Sequence, residues 1–101
     1  MRLDYAVHVD TIDVPRFAVE AVEGIGKLFT LATLVLNVLY TKERVEVIFH
    51  GLNPEDPERK IAAFREIVDS AEGGAVAYEV GRGGRVPGSS SYFQWLHITR
   101  S

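Results

Sequence analysis

Three histidines and a small set of acids, amides and arginines carry whatever chemistry this chain can perform. His8 and Asp10 close the segment HVD, His50 and Gly51 close VEVIFHG, and Arg82 and Arg85 flank the glycines of GRGGR. With Asn53, at the start of the helix that follows, the candidate ligand-binding residues are Asp10, His50, Gly51, Asn53, Arg82 and Arg85. Guanidinium groups, an imidazole and the N–H groups of a helix start favour an anionic or polar ligand. A plainer reading stands beside this one, in which His50-Gly51 only turns the chain and Asp10 only starts a turn. Catalysis has less to build with. His8, His50 and Asp10 are metal-ligand types, but there is no H-x-x-x-H spacing and no cysteine. Ser89, Ser90 and Ser91 with His97 and an aspartate could form a nucleophile system, yet no G-x-S-x-G elbow frames the serines. GRGG follows a strand but opens no helix, so it is not a phosphate-binding fingerprint. No residue is assigned a catalytic role and no cofactor is expected; a hydrolase or metal enzyme stands last among the alternatives.

The bulk composition narrows the field. The chain has 101 residues, 47% hydrophobic and 25% charged, which suits one globular domain spanning 1–101 with a thin, two-layer core. Its formal net charge is −3, which argues against a general nucleic-acid binder, since that needs clustered Lys and Arg. The absence of cysteine removes disulfides, thiolate metal sites and Cys nucleophiles, and fits a reducing compartment. The first ten residues read as a strand with two acids rather than a signal peptide. The longest apolar run, LFTLATLVLNVLY, is too short to span a bilayer. A cytoplasmic protein without a membrane partner is expected.

The elements that must position these residues follow from hydrophobic periodicity. LDYAVHVD alternates as a first strand, and Val45 to His50 as a second. Asn53 or Asp56 caps a helix with Pro54 and Pro57 in its first turns and an apolar stripe of Ile61, Phe64, Val68 and Ala71. Gly73-Gly74 ends it. Ala75 to Val80 and Tyr92 to Thr99 form the last two strands, joined by the loop GRGGRVPGSSS. In the final strand, Tyr92, Gln94, Leu96 and Ile98 alternate with Phe93, Trp95, His97 and Thr99, so both sheet faces carry groups that need cover. Phe93 and Trp95 could alternatively stack bases.

Arg16 to Tyr40 admits two readings: one long helix, or a short helix followed by a hairpin of LATLVLNVLY with VEVIFHG. A polar stripe at steps of three or four (Arg16, Glu20, Glu23, Lys27, Thr30, Asn37, Thr41) favours the helix, with a break near Gly24 and Gly26. The fold class is therefore α/β, a two-layer sandwich in the order β-α-β-α-β-β. Its sheet is expected to be mostly parallel, with a C-terminal antiparallel hairpin. The C-terminal strand ends then gather the candidate ligand residues on one edge. Apolar residues run almost all round the first helix, more than one sheet face can cover. Leu31, Val35, Leu36, Val38 and Leu39 are the candidate homo-oligomer interface.

HVD, VEVIFHG, the helix KIAAFREIVDSAEGG and the aromatic strand YFQWLHI together resemble the layout of the DsrE/F-like family of small α/β proteins. The resemblance spans most of the chain, and VEVIFHG is its sharpest element. It implies homo-oligomers, often trimers or larger, and in some members sulfur relay through a cysteine after the third strand. That region reads YEVGRGG here, so sulfur relay is left out. The strand–helix order with a Gly/Arg loop also resembles the layout of Alba chromatin proteins, in which the last hairpin reaches nucleic acid; Arg82 and Arg85 would supply the basic residues. The expected function is a non-catalytic homo-oligomeric DsrE-like protein, with room for a small polar ligand at the C-terminal sheet edge. The alternative is an Alba-like nucleic-acid-binding module.

Overall fold

The computed structural model describes residues 2–3, 7–9, 12–72 and 76–100. Four short strands open the chain: β1 (Arg2–Leu3), β2 (Val7–Val9), β3 (Ile12–Val14) and β4 (Arg16–Val19). Helix α1 (Gly26–Val38), strand β5 (Arg44–Gly51) and helix α2 (Glu55–Glu72) follow. Strands β6 (Val76–Val80), β7 (Gly84–Arg85) and β8 (Tyr92–Arg100) complete the chain. The main sheet runs β1-β4-β5-β8-β6, with β7 also on β8, while β2 and β3 form a separate hairpin. The chain is thus α/β, with two helices on a mixed sheet among the described residues.

Two expectations about that sheet are overturned. The order is not β-α-β-α-β-β, because four strands precede α1. Nor is the sheet mostly parallel: β4–β5 is its one parallel pairing among the described residues, and the rest are antiparallel. The cause is the position of β8. It returns from β6 as an antiparallel neighbour, which needs no crossover helix, and inserts between β5 and β6. β5 and β6 remain parallel to each other, one strand apart.

The first helix is also shorter than its polar stripe suggests. Arg16–Val19 is a strand beside β5, in register Arg16↔Glu46 to Val19↔Phe49. Phe17 and Val19 are buried in the core, and Arg16 instead pairs with Glu46. Glu20 and Glu23 are polar for a different reason: they close a turn, Glu23 N–H to Glu20 O and Glu20 N–H to Glu23 Oε1. The break foreseen at the glycines is where α1 begins. Residues 31–38 are helical, so the hairpin alternative does not occur.

The core lies between the helices and one sheet face. α1 contributes Leu28, Leu31, Ala32 and Val35, and α2 contributes Ile61, Phe64 and Val68. They pack on Phe17, Val19, Val45, Val47, Phe49, Leu96 and Ile98, with Phe49 and Phe64 rings tilted at 5.6 Å. Leu31, Val35 and Leu39, expected at an interface, are instead taken up by the chain's own core. Leu36 and Val38 are partly buried against it. The surplus of apolar surface on α1 is therefore smaller than its sequence suggests, because α2 covers a second flank of it. No helix among the described residues is long and apolar enough to cross a membrane.

Candidate functional site at the carboxyl edge of the sheet

The end of β5 shows what the sequence HGLNPEDPE builds. A Cβ on Gly51 would collide with Asp56 Cβ and lie 2.8 Å from Pro57 Cδ. Gly51 is present because the first turn of α2 rests directly on the strand end. Asn53 N–H donates to Asp56 Oδ2 at 3.2 Å, and Asp56 N–H donates to Asn53 O at 3.1 Å, which closes the helix start from both sides. Glu55, Asp56 and Glu58 place negative charge in that first turn, where the helix dipole favours it.

The same edge carries the Gly/Arg loop. Opposite Gln94 and Trp95 of β8 stand three residues, Gly81 to Gly83, because the register steps from Val80↔Leu96 to Gly84↔Phe93. The extra residue is a β-bulge. Its glycines make room for aromatic groups: a Cβ on Gly81 would lie 2.9 Å from Trp95 Cβ, and one on Gly84 3.4 Å from the Phe93 ring. GRGG is therefore a bulged edge strand under Phe93 and Trp95, rather than a phosphate loop.

Four of the six ligand candidates meet at this edge. Gly51, Tyr92 and Arg85 occupy one rung across β5, β8 and β7, and His50, Phe93 and Gly84 occupy the next. At the usual strand spacing Arg85 and Gly51 backbones are roughly 10 Å apart. Asn53 lies just beyond β5. Of the four, Gly51 and Asn53 are already used by the helix start. Arg82 sits in the bulge and Arg85 beside it, both exposed, with Arg85 Nε on Ser89 O at 3.1 Å. Asp10 lies outside the described residues. His8, expected on this edge, is opposite Asp13 in the β2–β3 hairpin, which is not paired with the main sheet. Among the described residues no cluster of His, Asp and Glu could hold a metal ion.

An open groove of about 380 Å³ runs along this end, lined by Pro54, Glu58, Arg85, Tyr92, Phe93 and Gln94. A second, of about 490 Å³, shares Glu58 and Gln94 and continues between α2 and β6 past Arg59, Arg65 and Val80. The lining mixes arginines with Glu55 and Glu58, so it presents no uniform positive potential.

Three polar clusters escaped sequence reasoning, because each joins residues far apart in the chain. Glu46, 7% exposed, accepts from Arg16 Nε at 3.1 Å and meets His97 Nε2 at 3.0 Å on the helix-free face of the sheet. The Arg16 guanidinium also lies 4.6 Å from the Trp95 ring centroid. Lys60, 9% exposed, donates to the carbonyls of His50, Glu20 and Ala21. Tyr78 donates its hydroxyl hydrogen to Asp69 Oδ1 at 2.9 Å under the Arg65 guanidinium. The only signals available in sequence were a glutamate within the apolar strand VEVIFHG and a lysine one step from the apolar stripe of α2. Among the described residues no buried side-chain polar atom lacks a partner. No protein-family model, curated protein or solved structure matches the chain.

Proposed function

We propose that this protein is a non-catalytic module that associates with a second copy of itself through the outer end of α1. One observation carries the reading: Val22, Ile25 and Phe29 lie within eight residues and are 86%, 51% and 61% exposed. Ile25 and Phe29 form one wall of an open groove of about 390 Å³ whose other wall, on α2, is Ala63 and Ile67 with Glu66 and Ser70 beside them. An apolar projection beside an apolar hollow is complementary to its own image after a half-turn, the requirement for an isologous dimer. The non-catalytic half of the reading rests on the polar clusters. Among the described residues, Glu46, His97, Lys60, Tyr78 and Asp69 are each engaged within the chain rather than turned into a groove. The segments that resemble DsrE/F-like proteins, VEVIFHG above all, point the same way, since that likeness would imply homo-oligomers.

Light scattering tests the reading. Phe29 is exposed, so Phe29→Glu leaves the core intact while placing a charge in the interface. Wild type is expected above the 11.2 kDa of one chain, and Phe29→Glu is expected to lower that mass. A monomeric wild type, or an unchanged mass in Phe29→Glu, overturns it.

A small polar ligand in the groove beside Arg85 is a second reading, favoured by the meeting of His50, Gly51, Asn53 and Arg85 at one sheet end. Amide shifts at Gly84 and Arg85 on titration with inorganic phosphate would support it, and their absence would end it. The nucleic-acid alternative predicts salt-sensitive retention on DNA or RNA that is lost in Arg82→Ala with Arg85→Ala.

A further inference from the structure

β6 ends the main sheet, and no described strand lies on its far side. Its outward backbone groups can be named. Gly81 N–H donates to Trp95 O at 2.9 Å, which fixes the phase of the antiparallel ladder. Gly81, Glu79 and Ala77 turn their N–H and C=O toward β8, so those of Val76, Tyr78 and Val80 turn away from it. The usual protections of an edge are missing from this stretch. It holds no proline and no lysine, its single charge is Glu79, and the bulge begins only at Gly81.

We propose that β6 pairs antiparallel with β6 of a second copy about a two-fold axis through Tyr78. The register follows from three constraints. Outward backbone groups must meet outward groups, which an axis at Tyr78 achieves by pairing Val76 with the second copy's Val80 and Tyr78 with its own counterpart. Each such pair exchanges two N–H···O=C bonds. An axis at Glu79 would set two carboxylates directly opposite, which is destabilising, whereas an axis at Tyr78 sets Glu79 opposite Ala77. An axis at Ala77 would leave Val80 without a described partner. In the chosen register Val80, 46% exposed on the single chain, is covered by a valine. The bulge at Gly81–Gly83 ends the pairing and keeps the strand from extending it.

This interface is separate from the α1 patch. Two isologous interfaces on one chain give a closed tetramer of D2 symmetry, or an open chain if the axes do not close. Either exceeds a dimer.

Proline at position 80 provides a selective test, because the Val80 N–H is not used by the β6–β8 ladder and edge strands tolerate proline where the N–H faces outward. Light scattering over a concentration series, with amide hydrogen exchange, reads the result. The expected pattern is wild type above a dimer, Phe29→Glu and Val80→Pro each reduced to a dimer, and the double variant a monomer. The Tyr78 and Val80 amides should exchange slowly in wild type and in Phe29→Glu. A monomeric Phe29→Glu with rapid exchange at those amides overturns the strand pairing and leaves the α1 interface standing; it is also the outcome if the edge serves a foreign peptide. A dimeric Phe29→Glu with monomeric Val80→Pro does the reverse. Should Val80→Pro fail to fold, the exchange of Tyr78 and Val80 amides in Phe29→Glu decides alone.

Discussion

Lys60 Nζ donates to the His50 carbonyl at 2.9 Å, joining the second turn of α2 to the end of β5. The same ammonium reaches the carbonyls of Glu20 and Ala21 at 3.2 Å, beyond the end of β4. One side chain therefore closes the ends of the two parallel strands and fixes the loop that leads into α1. Burial pushes the lysine below its ordinary pKa, and the Asp56 carboxylate opposes that push. Lys60→Met keeps the aliphatic stem and removes the donors. Three partly buried carbonyls then lose this donor, and a buried acceptor left unmet costs about 1–3 kcal/mol. Rehydration at the strand ends offsets part of this, so a loss of about 2–3 kcal/mol is expected from urea unfolding. An unchanged midpoint would show that the three contacts contribute nothing.

Gly51 answers a sequence question about HGLNPE in steric terms. Any side chain there meets Asp56 and Pro57, the first turn of α2. Pro57 is fully buried and cannot yield. Gly51→Ala is expected to lower stability by about 2 kcal/mol through overpacking. Gly24→Ala, where a Cβ would meet nothing within 4 Å, serves as the control and should change stability little. Equal midpoints for the two variants would contradict the steric account.

Glu46 holds Arg16 and His97 on the helix-free face. Glu46→Ala removes one acceptor from Arg16 and one contact from His97. Loss of one partner from a fully buried ion pair costs about 3–5 kcal/mol. The side chains of Arg16 and His97 are 18% and 30% exposed and can partly rehydrate, so about 2 kcal/mol is the expected cost. The chain has one tryptophan, and its ring carries the Arg16 guanidinium. The emission of Trp95 should shift in Glu46→Ala as the Arg16 guanidinium loses this anchor beside the ring. A silent emission spectrum would mean that Arg16 keeps its place on Trp95 without Glu46.

The sequence made the second half of the chain legible. Alternation located β5, β6 and β8 to within a residue, and the caps and stripe located α2, because each pattern was imposed by one face packing on the same core. The pairing order was hidden, since nothing in YFQWLHIT says that it inserts between β5 and β6. Arg16 misled for a related reason. It fell on a helical stripe by spacing, but its polarity serves Glu46, thirty positions later. Leu31, Val35 and Leu39 looked surplus because the share of α1 covered by α2 is a tertiary fact. The edge holding His50, Gly51, Asn53 and Arg85 was foreseeable from strand ends. The bulge that brings Arg85 there was not, because it depends on the register of β8. The His8–Asp10 expectation lies partly outside the described residues, and Gly73-Gly74 lies wholly outside them.

Tyr78 gives the fold a specific alkaline signature. Burial, then the hydrogen bond to Asp69 and the charge of that carboxylate, push the phenol above its ordinary range, while Arg65 opposes them. The native state therefore keeps this proton at pH values where the unfolded chain, with a phenol pKa of about 10, releases it. Above that pH the unfolded state binds fewer protons than the native state, so stability falls as pH rises. The contribution is complete below about pH 10 and is lost as the pH climbs toward the raised native value. Lys60, with its depressed pKa, contributes the opposite slope just below the ordinary lysine value, so wild type alone would mix the two. Tyr78→Phe isolates the phenol, because Lys60 is common to both proteins. At pH 7–9 wild type should exceed Tyr78→Phe by about 1 kcal/mol, the worth of one hydrogen bond to a carboxylate on an exposed strand. Measured by urea unfolding in the Phe29→Glu, Val80→Pro background, where subunit equilibria do not enter, that difference should shrink steadily above pH 10. A difference that stays level through this range would mean that Asp69 and burial do not hold the proton on Tyr78.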